Sequence, residues 1–207
     1  MRLALIGATG YTGSHILDES LRRGHFVTGI ARNTDVLLED ARLSALALDV
    51  TDTHSLRNAL AGHDAVISAF NPGKDDTDRG ARSIIEAVKD HQALRLIVVG
   101  GAGTLEITPG RRLVDEPDFP SQWKAGALKT AAFLEALRGE PDLNWTFVSP
   151  AAMLSPGART ERYRIADDEL LTDENGESRI SVEDFAVAVI DEVERGAHLR
   201  RQIGVAY

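Results

Sequence analysis

Three glycines stand at a spacing of three near the start of the chain, in the run Leu3-Ala4-Leu5-Ile6-Gly7-Ala8-Thr9-Gly10-Tyr11-Thr12-Gly13. Glycine at such positions acts through what it lacks. Gly7 lets the chain turn sharply off an apolar strand, Gly10 removes a side chain where a pyrophosphate would approach the backbone, and Gly13 lets the next helix pack close to the strand. That helix points its free N–H groups and the positive end of its dipole at the phosphates. Gly7, Thr9, Gly10, Tyr11, Thr12 and Gly13 are therefore candidate cofactor-binding residues. The competing reading is a tight strand–helix turn and nothing more. Context favours a dinucleotide site, because a strand precedes the loop, a helix over 14–23 follows it, and a second strand begins after Gly24. At the end of that strand, nineteen residues after Gly13, stands Arg32. An acidic residue near this point would bond the ribose 2′-hydroxyl of NAD, whereas an arginine suits the 2′-phosphate of NADP. No Asp or Glu precedes Arg32 in the strand, and a guanidinium meets a phosphate with two charge-assisted hydrogen bonds. This pattern points to NADP(H). A solvated arginine, or Asp35 or the Glu39-Asp40 pair selecting NAD, is the competing reading.

The Gly-Ala-Thr-Gly-x-x-Gly loop resembles that of the atypical and extended short-chain dehydrogenase/reductase superfamily. Within it the chain is similar to the small NAD(P)H-binding reductases provisionally named NADH-flavin reductases, relatives of biliverdin reductase B and of the NmrA-like group. The resemblance implies that Asp49 accepts from the adenine amine while Val50 packs on the base, although Asp52 or Thr51 there also suits a helix cap. Carbonyl-reducing members of the superfamily carry Tyr-x-x-x-Lys on the helix before the sixth strand, with both side chains on one face. Lysine holds the nicotinamide ribose and tyrosine moves the proton. Here Lys129 follows Ala125 at that spacing and Lys124 follows Pro120, so Lys129 remains as a candidate without its tyrosine. The family's serine after the fifth strand is replaced by Gly100-Gly101, leaving Thr104 as the nearest hydroxyl. The run Pro156-Gly157-Ala158-Arg159-Thr160, with Tyr163-Arg164 beyond it, resembles the family's lead-in to a substrate-side subdomain. Tyr163 is then either a proton donor from that side or a packing residue, and Trp123 either walls the nicotinamide pocket or packs in a helix core.

The missing tyrosine selects among reactions. Ketone reduction develops an alkoxide that needs a positioned acid, whereas a flavin or quinone accepts hydride into a conjugated system and takes its proton from water. The expected activity is hydride transfer from NADP(H) to a flavin, quinone or similar planar acceptor, with flavin either a substrate or a bound cofactor. The alternative is a non-catalytic NAD(P)(H)-binding redox sensor of the NmrA-like type.

These residues need a scaffold that brings them to one edge. Strands are expected at 25–31, 44–48, 64–70, 95–99, 144–148 and 202–207, and helices at 14–23, 54–61, 79–91 and 122–138, with a last helix opened by Ser181 as cap. Such alternation predicts an α/β fold, a Rossmann-type doubly wound parallel sheet with a small substrate-side segment near the C-terminus. Ligands of such sheets sit outside the carboxyl ends of the strands, at the switch in strand order. Ala69, Phe70, Asn71, Gly100, Gly101, Ser149, Pro150 and Ala151 are thereby expected beside the cofactor. Residues 106–120, with three prolines, read as irregular surface, and the charged run 74–78 as a solvated loop with a helix cap. Residues 1–207 read as one NAD(P)-binding domain, with 155–180 as a substrate-side insertion.

Composition narrows the class further. A chain of 207 residues with 43% hydrophobic and 27% charged residues is ordinary for a globular domain. Its net charge of −9 argues against nucleic acid as a partner. The absence of cysteine excludes disulfides, thiolate nucleophiles and cysteine-held metals, and the six histidines show no metal-ligand spacing. No apolar run approaches the roughly 20 residues of a membrane span, and the glycine loop follows the first residues too closely for a signal peptide. The expected setting is cytoplasmic and the expected partner a small-molecule acceptor.

Overall fold

Residues 1–75, 79–91 and 93–207 are described by the computed structural model. The short apolar runs form strands, of which the central ones, at 2–6, 65–68 and 95–99, are largely buried on both faces as parallel strands covered by helices are, while the edge strand at 43–47 has no buried residue. In chain order these are β1 (Arg2–Ile6), β2 (Phe26–Ala31), β3 (Leu43–Ala47), β4 (Ala65–Ser68) and β5 (Arg95–Val99). A hairpin of β6 (Glu106–Thr108) and β7 (Arg111–Arg112) follows, and then β8 (Trp145–Pro150), β9 (Met153–Ser155), β10 (Arg164–Asp167), β11 (Arg179–Ser181) and β12 (Arg201–Ala206). The helices are α1 (Tyr11–Arg22), α2 (Thr53–Leu60), α3 (Gly80–Lys89), α4 (Ser121–Arg138) and α5 (Val182–Arg195).

Eight strands make the main sheet in the order β10-β12-β8-β5-β4-β1-β2-β3, with β10 antiparallel and the rest parallel. The chain winds outward from β1 to β3, then crosses back to β4, so the switch point lies between β1 and β4. Ile6 is level with Ile30 and Ser68, and Ser68 with Val98, so the carboxyl ends of these strands form one even edge. Alternate strand residues feed two cores. Leu3, Leu5, Ile67, Ile97 and Val148 pack with Ile16 of α1 and Phe185 of α5, while Ala4, Val66, Leu96, Val98 and Phe147 pack with Leu56 of α2, Ile84 of α3 and Phe133 of α4.

The caps follow local chemistry. Asp52 Oδ1 accepts from the Ser55 N–H at 3.0 Å to start α2, and Ser181 Oγ accepts from the Asp184 N–H at 3.0 Å to start α5. Two segments differ from expectation. Residues 106–120 are not wholly irregular, because β6 and β7 form a hairpin and the Glu106 N–H donates to the Asp168 carbonyl at 2.7 Å. Residues 155–180 contribute β10 to the main sheet and open β11, which pairs with β9. The hairpin pairs near neighbours, whereas the Glu106–Asp168 bond and the pairing of β10 with β12 and of β11 with β9 join residues far apart in sequence, which local pattern does not encode. Within the second segment Arg159 donates to buried Glu19, Thr160 to Asp184 and Tyr163 to Asp191, which straps it across α1 and α5.

Among the described residues no helix is long and apolar enough to cross a membrane, and no group of His, Asp and Glu could hold a metal ion. Asp76, Thr77 and Asp78, part of the expected charged loop, lie outside the described residues.

Candidate dinucleotide-binding site

The three glycines of the first loop turn out to do three different things. Gly7 sits at φ +80°, a conformation that favours glycine, and a Cβ there would lie 2.7 Å from the Ala69 carbonyl oxygen. The Gly7 N–H donates to the Ile30 carbonyl and its own carbonyl accepts from the Gly10 N–H, at 2.8 and 2.9 Å. Gly13 is the packing glycine, since a Cβ would fall 2.0 Å from the Gly7 oxygen. Gly10 is exposed and extended at φ −77°, with only the Gly7 oxygen near a hypothetical Cβ, at 3.2 Å. It is the N-cap of α1 and offers no side-chain acceptor. The first intrahelical bond runs from the Ser14 N–H to the Gly10 carbonyl, which leaves the N–H groups of Tyr11, Thr12 and Gly13 in the orphan first turn. That turn carries no acidic residue. Thr9 is half-buried within the loop. Tyr11 packs edge-on against His15, and slight burial together with the nearby Glu183 carboxylate raises its hydroxyl pKa, which keeps it a neutral phenol.

On the β2–β3 side of the switch point, Arg32 is exposed at the end of β2 and makes no ion pair among the described residues. Asp49 is exposed nearby. Its Oδ1 accepts from the Thr51 N–H and hydroxyl, both at 2.9 Å, and these bonds hold its pKa below the ordinary carboxylate range, helped by Arg32. The α2 cap is Asp52, so Asp49 is not consumed by that role. Val50 is half-buried against the core under α2 and α3. Ala69 touches the glycine loop, Phe70 packs beneath Gly80, and the Asn71 side chain accepts from the Gly73 N–H at 2.9 Å.

On the β5–β8 side the candidates divide. A Cβ at Gly100 would lie 2.2 Å from the Phe147 ring and 2.5 Å from Ser149 Oγ, so Gly100 is a packing glycine. Gly101 is open, its nearest neighbour being Thr130 Cγ2 at 3.8 Å. Thr104 is buried. Its hydroxyl donates to the Gly101 carbonyl at 2.8 Å and accepts from Gln202 Nε2 at 2.6 Å, and Ser149 Oγ lies 3.1 Å away. Thr104 and Ser149 are therefore held in a buried knot with Gln202, a residue that nothing local in the sequence singles out. Pro150 and Ala151 are buried at the end of β8. Lys129 Nζ donates to the Asp75 carbonyl at 2.7 Å, where α4 crosses the turn after β4. The crossing is close, since a Cβ on Gly73 would lie 2.9 Å from Gly126 Cα. The pair Gly73 and Gly126 was the available signal for this contact.

Tyr163 is not brought to this edge. Its hydroxyl donates to Asp191, whose other oxygen accepts from Arg23 Nη1 at 2.7 Å. Arg23 caps the far end of α1, and a helix of that length spans about 18 Å. Burial first, and then the bond to Asp191, raise the Tyr163 pKa well above the ordinary phenol range. It is a strap residue, not a proton donor beside the glycine loop.

Residues 7–193 match the family described as NAD(P)H-binding. The chain belongs to that family. YwnB, an uncharacterized protein of Bacillus subtilis, is 36% identical over 99% of this chain and 98% of its own length. A protein of Bacteroides thetaiotaomicron provisionally called an epimerase superposes with a TM-score of 0.94 at 40% identity, over 100% of this chain and 96% of its own. A provisionally named NADH-flavin reductase of Streptococcus pneumoniae superposes at 0.87 with 37% identity, covering 100% and 99% of the two chains. The family and these neighbours share an NAD(P)H-binding, oxidoreductase-like Rossmann fold.

The residues present fit an NAD(P)H molecule. The side-chain-free Gly10 and the orphan N–H groups of Tyr11, Thr12 and Gly13 form a cradle for the pyrophosphate, and a Cβ-bearing branched residue at position 10 would fill it. Arg32, Asp49 and Val50 follow β2 and β3 on one side of the switch point, and Gly101 follows β5 on the other.

Proposed function

We propose that this protein is a reductase that prefers NADP(H) and passes hydride to a flavin, quinone or similar planar acceptor. The observation that carries the reading is the state of the hydroxyls expected to protonate a substrate. Thr104 is buried and donates to the Gly101 carbonyl, Tyr163 donates to Asp191, and position 125, four residues before Lys129, is alanine. An acceptor that draws its proton from water needs none of them.

The bound cofactor supplies a hydride from its reduced nicotinamide. The protein's own contribution is binding and orientation. The first turn of α1 holds the pyrophosphate through N–H groups and a positive helix end. Arg32, exposed and without an ion-pair partner among the described residues, suits a 2′-phosphate. Asp49, kept ionised by its bonds to Thr51, suits the exocyclic amine of adenine. Lys129, bonded to the Asp75 carbonyl, ties α4 to the turn after β4, which steadies that wall of the site. Open Gly101 lets a flat acceptor approach the strand ends without meeting a side chain.

The test is NADPH oxidation by the purified protein with FMN, FAD and a soluble quinone, against a control with no acceptor. Turnover with at least one of these acceptors is expected. Tight NADPH binding with no turnover on any acceptor would assign the protein instead to the non-catalytic sensor reading, for which the engaged hydroxyls also speak.

A further inference from the structure

The two edges of the main sheet are built differently. At one, β10 carries Arg164 and Asp167, charges of the kind that keep an open edge from pairing with another chain. At the other, β3 has a single neighbour, β2, and residues 43–48 read Leu-Ser-Ala-Leu-Ala-Leu, with no charge and no proline. Ser44, Ala45 and Ala47 are exposed. The pairing with β2 fixes where the backbone groups point. The Val27 N–H donates to the Arg42 carbonyl at 2.8 Å, and the Leu48 N–H to the Ala31 carbonyl at 2.9 Å. Alternation along the strand then turns the N–H and C=O of Ser44 and Leu46 toward β2, and those of Leu43, Ala45 and Ala47 outward. The Leu43 N–H is spent on the Asp40 carbonyl at 3.0 Å. The outward groups of Ala45 and Ala47 have no strand beside them among the described residues. A groove of about 450 Å³ borders this edge, where Leu38, 86% exposed, shares the lining with Leu43 and Ala45.

We infer that β3 pairs with β3 of a second copy, antiparallel about a two-fold axis at Leu46, so that two eight-stranded sheets become one. The outward groups select this register. With Leu46 opposite Leu46, Ala45 of each copy faces Ala47 of the other, and each such pair exchanges both of its N–H···O bonds. Centring on Ala45 instead would set the Ala47 carbonyl against the Leu43 N–H, which is already spent. A slip of one residue would oppose Ala45 to groups that point back to β2. At the axis two half-buried leucines meet as a non-hydrogen-bonded pair, the closer kind for side chains. A second copy suits this edge for its charge as well. The chain carries −9 overall, yet along 43–48 two copies meet with no like charges opposed. Such a pairing is isologous and closes at two subunits. Its area is that of a short strand with its flanking loop, at the small, reversible end of specific interfaces.

The experiment is sedimentation velocity across a dilution series of the whole chain, where a dimer at roughly 100 µM that dissociates on dilution is expected. Two double variants test the register. Ala45→Lys with Ala47→Lys opposes lysine to lysine across the axis and should weaken the dimer roughly ten-fold or more. Ala45→Lys with Ala47→Glu opposes lysine to glutamate and should keep it. All these positions are exposed, and circular dichroism checks that both variants fold. The chain has no cysteine of its own, so crosslinking gives a second reading that needs only small side chains. Ala45→Cys mixed with Ala47→Cys should form a disulfide on mild oxidation, because a hydrogen-bonded pair sets the Cα atoms about 5.5 Å apart, within the roughly 4.4–6.8 Å that a disulfide spans. Either variant alone should not, since like positions are then offset by about 7 Å along the strand. A protein that stays monomeric at every concentration would overturn the inference, as would a dimer that both double variants keep or both lose. Crosslinking of Ala45→Cys alone, with none in the mixture, would overturn the register. A monomer whose Ala45 and Ala47 amides gain hydrogen-exchange protection on adding an extended lysine-rich peptide would give the edge to a different chain and overturn it too.

Discussion

Gly10 and Gly13 stand three residues apart in the same loop, and the structure gives them opposite sensitivities. At Gly10 the backbone is extended, with φ −77° and ψ 166°, a region that a β-branched residue adopts without strain. The nearest atom to a new Cβ is the Gly7 oxygen at 3.2 Å, which a shift of a few tenths of an ångström relieves. Gly10→Val should therefore cost about 1 kcal/mol of stability or less. Its side chain would occupy the cradle, however, and hold a pyrophosphate off the N–H groups of the first turn. Losing two charge-assisted hydrogen bonds at about 1.5–3 kcal/mol each weakens NADPH by roughly 10²- to 10⁴-fold. At Gly13 the new Cβ would lie 2.0 Å from the Gly7 oxygen and 2.9 Å from its carbon, and both are backbone atoms fixed by the turn. Gly13→Ala should cost about 3 kcal/mol or more as overpacking, which for a chain of this size lowers Tm by roughly 6–12 °C. Calorimetric titration with NADPH and thermal unfolding followed by circular dichroism separate the two effects. Wild-type NADPH affinity in Gly10→Val, or an unchanged Tm in Gly13→Ala, would refute the division of labour.

Arg32→Ala should weaken NADPH roughly ten-fold, the lower end for a charge-assisted bond because the guanidinium is exposed and screened, and leave NADH unchanged; equal effects on both cofactors in a binding titration would make Arg32 a surface charge only. Ala125→Tyr should not raise FMN or quinone turnover, since no proton donor limits that reaction, and a large gain would mean that protonation does limit it. Burial alone would raise the pKa of Glu19, Asp184 and Asp191, but hydrogen bonds from Arg159 and Arg23 to the first, from Thr160 and Tyr207 to the second, and from Tyr163 and Arg23 to the third outweigh it, and all three are lowered. The stability from these groups is present above the ordinary carboxylate pKa of about 4 and is lost as pH falls through their lower folded values. Acid unfolding followed by circular dichroism should accordingly begin at a higher pH in Arg159→Ala than in the wild type, and coincident curves would mean that the strap adds nothing in acid.

The chain's own sequence determined the alternation of apolar strands and amphipathic helices, the switch loop at Gly7–Gly13, and caps such as Asp52 and Ser181. Each is written in neighbours a few residues apart, through the 2.0 and 3.6 residue periods, glycine's conformational freedom, and side chains that reach their own helix start. The β5 strand over 95–99 was legible to the residue for that reason. What the tertiary structure decided concerns partners distant in the chain. Tyr163 reads as either a substrate-side hydroxyl or a packing residue until Asp191 and Arg23 are seen to hold it at the far end of α1. Thr104 reads as a spare hydroxyl until Gln202, ninety-eight residues later, is seen to bury it in a polar knot. Gly100 and Gly101 look equivalent in the sequence, yet Phe147 crowds the first and leaves the second open. Trp123 reads as either a pocket wall or a helix-core residue, and the fold leaves it 62% exposed. Local spacing specifies which face a side chain takes on its own element, but not what stands opposite that face, because the opposing atoms come from segments whose approach depends on packing the whole chain.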